Sequence, residues 1–376
     1  MKFLTRFAVS LLITFLSVYK IQAQAPVLSS SAKISLLTCG TGNELYSIYG
    51  HTALRIWDPV NQIDVVYNYG TFDFHTSNFY LKFIKGDLQY FVSTSSFADF
   101  TYAYVYDNRD IYEQVLNLTG QQKQRIFNEL DTVLSSEKRF YTYKFIDRNC
   151  TTMVADLINQ ALPEKISTKI PDTEKTYRNI LYGYLDNHFY ENLGINLMFG
   201  LKTDKQSDKL FLPIELMQGV NLSKNNNGKL VLEEKTVFKK MENGEGKSLW
   251  NNYITFALTI LLLIALSGKR KFQIIWLTLC GLLGLFFSLV GCYSFHKEVL
   301  WNYNVLLMNP VFLLLVFFIV KNNTTWIKRT IIISWIAIAV YTGFILLKVQ
   351  LLMMLPLIVL NTLTLWYIWK NLPKKQ

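Results

Sequence analysis

Before residue 242 the apolar residues of this chain come in short runs with strand or helix period, and from residue 249 they fill five long stretches. Residues 34–39 read as a strand and 40–43 as a turn. In the next run Thr52, Leu54 and Ile56 alternate with His51, Ala53 and Arg55, so His51 stands at the start of a second strand. A turn over 58–61 leads into a third strand over 64–69, completing a hairpin, and 70–75 is a loop. Further strands are expected at 89–94 and 111–118, and helices at 78–85 and 120–135. From Tyr141 to Phe145 aromatic and polar residues alternate. At Asn149 and Cys150 the period changes: Met153, Val154, Leu157 and Ile158 recur at helical spacing, so a helix begins close to Cys150. Residues 190–201 form an apolar segment suited to a groove or a membrane surface. Asn225 to Gly228 predicts a hairpin turn between strands at 220–222 and 230–232. This order fits a compact mixed α/β domain of about 200 residues, closed by a linker over 242–247.

The long stretches, 249–267, 272–292, 301–320, 330–347 and 349–369, can each cross a hydrocarbon core of ~30 Å as a helix. They predict five transmembrane helices. At the other end, Lys2 and Arg6, the apolar run 7–18 and Ala23 before Gln24 match a secretory signal peptide over 1–23. The net charge of +11 over 376 residues would suit a basic soluble protein if it were evenly spread. It is not. Residues 1–23 carry Lys2, Arg6 and Lys20, and 249–376 carry eleven Lys and Arg against Glu298 alone, which leaves 24–248 two negative charges in excess. Nucleic acid is therefore not an expected partner. Nine positive charges fall in one set of loops between the apolar stretches, against Lys297 and Lys348 in the other. The positive-inside rule puts the nine-charge side in the cytoplasm. The first span then runs inward and residues 24–248 lie outside, as the signal peptide requires. The expected domains are a signal peptide over 1–23, an extracytoplasmic domain over 24–248 and a transmembrane domain over 249–376.

A helix beginning near Cys150 places a thiol where free backbone N–H groups and the helix dipole favour the thiolate. A cysteine that merely fills space in a core is the commoner case. Asp147, Arg148 and Asn149 before it, and Thr151 and Thr152 after it, are poor company for that role. Cys280 and Cys292, twelve residues apart on one expected helix, are separated by roughly 18 Å and cannot pair. A disulfide between Cys39 and Cys150 is compatible with an oxidising compartment and would abolish the nucleophile. A cysteine nucleophile needs a base, and the domain offers His51, His75 and His188. His51 is the best placed, because a strand start can be held rigidly against a helix N-terminus and Gly50 lets the backbone approach closely. For the group that orients the imidazole, Asn68 on the adjacent strand is the first choice and Asp73 the second. No cofactor or metal is expected.

Tyr49 to Arg55, Tyr67 to Phe74 and Asn149 to Thr152 together resemble the N-terminal periplasmic domain of the Bacteroidota lipoprotein N-acyltransferase family, Lnb. The resemblance continues in the membrane part at Phe295 and His296 and from Asn302 to Pro310. That periplasmic domain is similar to permuted NlpC/P60 and lecithin:retinol acyltransferase proteins, in which the histidine strand precedes the cysteine helix, as here. The resemblance implies an α+β, permuted papain-like (NlpC/P60-like) domain followed by an all-α transmembrane domain of five helices. A cysteine–histidine site can serve a peptidase, an amidase or an acyltransferase. Five spans joined to one such domain suggest that donor and acceptor both reside in the bilayer. The expected activity is lipoprotein N-acylation: a fatty acyl chain leaves a membrane phospholipid, rests on Cys150 as a thioester and passes to the N-terminal amine of a lipidated lipoprotein. The expected location is the inner membrane, with the catalytic domain in the periplasm. Asp73 is a candidate substrate contact, and His296, Asn304 and Asn309 are expected to line the mouth through which lipid arrives. A membrane-tethered peptidoglycan endopeptidase and a non-enzymatic scaffold or sensor are the alternatives.

Overall fold

The computed structural model describes residues 26–226, 228–241 and 248–373. The expected signal peptide and the linker over 242–247 lie outside the described residues. The N-terminal part is built on an antiparallel sheet of β1 (Lys33–Cys39), β2 (His51–Asp58), β3 (Ile63–Thr71), β4 (Gln89–Ser96), β5 (Ile111–Leu116), β6 (Phe140–Thr142) and β9 (Val231–Phe238), in the order β6-β4-β3-β2-β1-β5-β9. β7 (Lys224–Asn225) and β8 (Gly228–Lys229) form a separate hairpin. Between the strands run α1 (Phe79–Lys85), α2 (Phe97–Tyr106), α3 (Gly120–Leu134), α4 (Cys150–Ala161), α5 (Tyr177–Tyr184), α6 (Phe189–Met198) and α7 (Pro213–Leu222).

The sheet is covered on both faces, which explains why its interior strand β1 is buried at every position after Lys33. On one face Ile34, Leu36, Leu54 and Ile56 pack against Val154, Leu157 and Ile158 of α4, the residues whose spacing predicted that helix. On the other, Leu37, Cys39, Ala53 and Val66 meet Phe100 of α2. The expected strand at 220–222 is instead the end of α7. Pro213 opens that helix, and the Glu215 carboxylate accepts from the backbone N–H groups of Phe211 and Leu212 at 3.2 Å, so the apolar run turns its buried face inward as a helix. The hairpin shrinks to β7 and β8, and the strand expected at 230–232 extends to Phe238 as a sheet edge.

The C-terminal part is helical: α8 (Tyr253–Leu266), α9 (Arg270–Tyr293), α10 (Val311–Val320), α11 (Thr324–Ile345) and α12 (Leu351–Lys370). Five full-length spans were expected. Among the described residues four segments are long and apolar enough to cross a membrane: Arg270–Tyr293, Lys297–Val320, Thr324–Ile345 and Leu351–Lys370. α8 has 14 residues, about 21 Å at 1.5 Å per residue. It is short because the Asn252 side chain accepts from Thr255 N at 3.0 Å and caps it, leaving 249–252 of the apolar run outside the helix. The segment Lys297–Val320 is α-helical only from Val311. Its first half descends in 3-10 turns buried against α9 and α11, with the Leu307 carbonyl accepting from the Asn361 amide at 3.0 Å. Irregular backbone at membrane depth survives where protein supplies such partners.

The apolar segment noted at 190–201 is largely α6, and it joins the two halves. Phe189 packs 5.1 Å from Phe256 of α8, and Tyr190 N donates to Asn251 at 2.8 Å. A charged tie lies nearer the helix start: Lys202 Nζ sits 2.6 Å from Asp147 and 2.9 Å from Glu298. The loop that delivers Cys150 is thus fastened to the membrane half.

Candidate active site

α4 starts at Cys150 because Asn149 is a complete N-cap. Its side-chain oxygen accepts from Thr152 N at 3.0 Å, and the Thr152 hydroxyl accepts from Asn149 N at 2.9 Å. The remaining amide protons of Asn149 go to the carbonyls of Phe145 and Phe211 at 2.8 and 2.9 Å, so the cap is anchored on both sides. Cys150, half-buried, occupies the first helical residue at the positive end of the dipole.

His51 opens β2, opposite Cys39 on β1. The preceding Gly50 has φ +82°, and a Cβ there would stand 2.6 Å from the Cys39 carbonyl, so only glycine brings the strand in at this point. The His51 ring stacks on Tyr104 of α2, with centroids 6.2 Å apart. Its Nε2 lies 3.3 Å from the Asn68 side-chain oxygen, and Asn68 in turn donates to Ser95 at 3.5 Å. Asn68 pairs with Ala53 in the β2–β3 register, which sets it diagonal to His51 on the same sheet face.

Cys150 and His51 belong to opposite layers, and a missing side chain lets them meet. β3 is irregular between Asn68 and Thr71, and Gly70 within the irregularity has φ +95°. A Cβ at Gly70 would sit 3.5 Å from the Cys150 Cβ and 3.9 Å from His51 Cε1. The gap leaves the imidazole and the thiol on either side of one vacant position. Burial pushes the Cys150 thiol up; the His51 charge and hydrogen bond, the Thr52 backbone N–H and the Thr151 hydroxyl outweigh it and hold the thiol below its ordinary value. The Tyr141 hydroxyl lies 4.0 Å from that same vacant Cβ position, buried and with no acceptor for its proton among the described residues. Burial and the nearby Cys150 push this phenol up, so it stays protonated as a donor. A cavity of about 370 Å³ opens on His51, Asn68, Gly70, Phe72, Ser95 and Phe100.

All four cysteines are free, so the thiol of Cys150 is not consumed by Cys39. The structure brings Cys150, His51 and Asn68 together and keeps the other candidates apart from them. Asp73 is exposed and bonded to His75, backbone at 2.8 Å and ring at 3.0 Å. His188 stands at the start of α6, 3.9 Å from Glu191. His296 Nε2 lies 2.9 Å from the Phe83 carbonyl. The Asn304 amide donates to the carbonyls of Asn196 and Leu197 at 2.8 and 3.0 Å and accepts from the Tyr341 hydroxyl at 2.8 Å. Asn309 accepts from Val311 N at 2.9 Å at the start of α10. His296 and Asn304 thus join the two halves, while the Asn309 bond stays within its own segment. Sequence reasoning missed Gly70, Tyr141 and Tyr104. The first two lie within segments the sequence singles out, the loop expected at 70–75 and the aromatic run before Cys150. Tyr104 falls on a helix that was not foreseen.

Residues 20–183 match the model of the family described as the Lnb N-terminal periplasmic domain, a stretch that contains His51, Asn68, Tyr141 and Cys150. No curated protein and no solved structure matches the chain.

Proposed function

We propose, for a chain whose residues 20–183 belong to the family of Lnb N-terminal periplasmic domains, a lipoprotein N-acyltransferase that works through an acyl thioester on Cys150. The chain is a membrane protein with a periplasmic domain. The observation that carries the reading is the approach of the Cys150 thiol and an Asn-bonded imidazole across Gly70, in a domain bolted directly onto a bundle of apolar helices. The histidine strand preceding the cysteine helix also fits a permuted papain-like order.

The chemistry follows from the positions. The Cys150 thiolate attacks the ester carbonyl of a phospholipid, and the new C–S bond leaves negative charge on the carbonyl oxygen. Backbone N–H groups at the start of α4 and the Tyr141 hydroxyl are the donors available for that oxyanion. As the intermediate collapses, the ester C–O bond breaks and protonated His51 gives its proton to the departing lysolipid alkoxide. The thioester is then attacked by the N-terminal amine of a lipidated cysteine. His51 takes the amine proton, the C–S bond breaks, and an amide and the free thiolate result. Asn68 acts through His51 by holding the ring.

A purified sample in phospholipid vesicles should convert a synthetic diacylated lipopeptide into the triacylated form, and Cys150→Ser should reduce that by about a thousandfold or more. Peptidoglycan stem-peptide cleavage without lipopeptide acylation would replace this reading by the endopeptidase one.

A further inference from the structure

Helix α1 buries none of its seven residues. Tyr80 is 74% exposed and Leu81 63%, Phe83 and Ile84 are 40% exposed, and Phe74 just ahead of the helix is 59% exposed. So much contiguous apolar surface marks a contact with something other than water. The position of α1 says what. Its C-terminal carbonyls are occupied by the loop that leaves α9: Ser294 Oγ donates to Ile84 O at 2.7 Å, Phe295 N to Lys85 O at 2.7 Å, and His296 Nε2 lies 2.9 Å from Phe83 O. Leu282, Phe286, Leu289 and Tyr293 form an exposed row down one side of α9, the side a membrane span turns to lipid. Tyr293, the last of the row, has the Lys85 ammonium 5.7 Å over its ring. The lipid-facing surface of the bundle therefore runs without a break onto α1.

Two further features fix the depth. Tyr293, Phe295 and Trp301, all exposed, form an aromatic group at this end of the bundle, as expected at a membrane–water interface. Lys82 and Lys85 in the last turn of α1, and Lys144 donating to the Gly86 carbonyl, place ammonium groups at the same level, where lipid phosphates lie. We propose that α1, together with Phe74, is inserted into the membrane leaflet that faces the catalytic domain, with Tyr80, Leu81 and Ile84 among the acyl chains. On its inner side Phe79 packs 5.9 Å from Phe72, which lines the cavity beside His51 and Asn68. The helix thus borders bilayer on one side and the cavity wall on the other. This placement rests on exposure and continuity, and it stands apart from the identity of the reaction.

The test uses the full chain in nanodiscs of phosphatidylethanolamine and phosphatidylglycerol, with the photoreactive p-benzoylphenylalanine in place of Leu81. The same probe in place of Tyr80 is a second variant, and in place of Leu232, exposed on edge strand β9, it is the control. After irradiation the tryptic peptides are weighed. Positions 80 and 81 should carry phospholipid adducts at about tenfold the level at 232. Adduct levels equal to the control at both positions, or a cross-linked dimer of the chain in place of lipid, would overturn the proposal.

Discussion

The hydroxyls of Thr52 and Thr151 lie 3.0 Å apart in the buried layer between β2 and α4. Each residue directly follows one of the two groups proposed to react, His51 and Cys150, so this bond ties the histidine strand to the cysteine helix beside them. Replacing Thr151 by valine keeps the volume, removes the bond and leaves the Thr52 hydroxyl unpaired, at a stability cost of about 1–3 kcal/mol. The larger effect should be on rate: acyl transfer by Thr151→Val should fall about ten- to a hundredfold through misalignment, with protein abundance near normal. Thr151→Ser, which restores the hydroxyl, should recover most of it. That recovery separates alignment from a general loss of fold.

The pH dependence of the thiol tests the His51 contact. Cys150 is held below the ordinary thiol value against the opposing effect of burial, and the His51 charge is the largest favourable cause. The folded thiolate therefore persists as pH falls through the usual thiol range and is lost only below it. The midpoint for alkylation of Cys150 by iodoacetamide, followed by mass spectrometry, should lie below that of an ordinary thiol. In His51→Ala the midpoint should move up, because the largest cause opposing burial is removed. An unchanged midpoint would mean that the imidazole does not touch the thiol.

Tyr141→Phe deletes a hydroxyl whose proton has no acceptor among the described residues, so the fold should be undisturbed. If that proton meets the oxyanion, the rate of Cys150 acylation should drop about ten- to a thousandfold, the range for loss of one oxyanion donor. The pH profile of Cys150 alkylation should meanwhile stay in place. Gly70→Ala acts differently, since a Cβ at φ +95° adds backbone strain and stands 3.5 Å from the Cys150 Cβ. It should slow both acylation and alkylation.

Much of this was legible in the sequence, and the physical reasons divide cleanly. β2, β3 and α4 have simple periods and strong punctuation, so His51, Asn68 and Cys150 could be placed on the correct elements and their meeting inferred. What the period could not convey was the role of Gly70, because a vacancy has no pattern of its own. Tyr141 stood in a visible aromatic run, yet its position beside the thiol depends on β6 pairing with β4 through Tyr90, a contact between distant parts of the chain. In the membrane half, hydropathy overstated α8, because Leu249 and Trp250 count as apolar while the Asn252 cap starts the helix at Tyr253, four residues after the apolar run begins. Hydropathy also hid the 3-10 turns before Val311, whose stability comes from partners such as Asn361 on another helix.

The most direct test of the central claim is to look for the acyl group on Cys150. Purified protein is incubated in phospholipid vesicles without lipoprotein acceptor, digested and weighed by mass spectrometry before and after neutral hydroxylamine. The account predicts a fatty acyl mass on the peptide containing Cys150, removed by hydroxylamine, absent in His51→Ala and discharged when a diacylated lipopeptide is added. Lipopeptide acylation by a sample whose Cys150 never carries that mass, or that persists in Cys150→Ser, would contradict it.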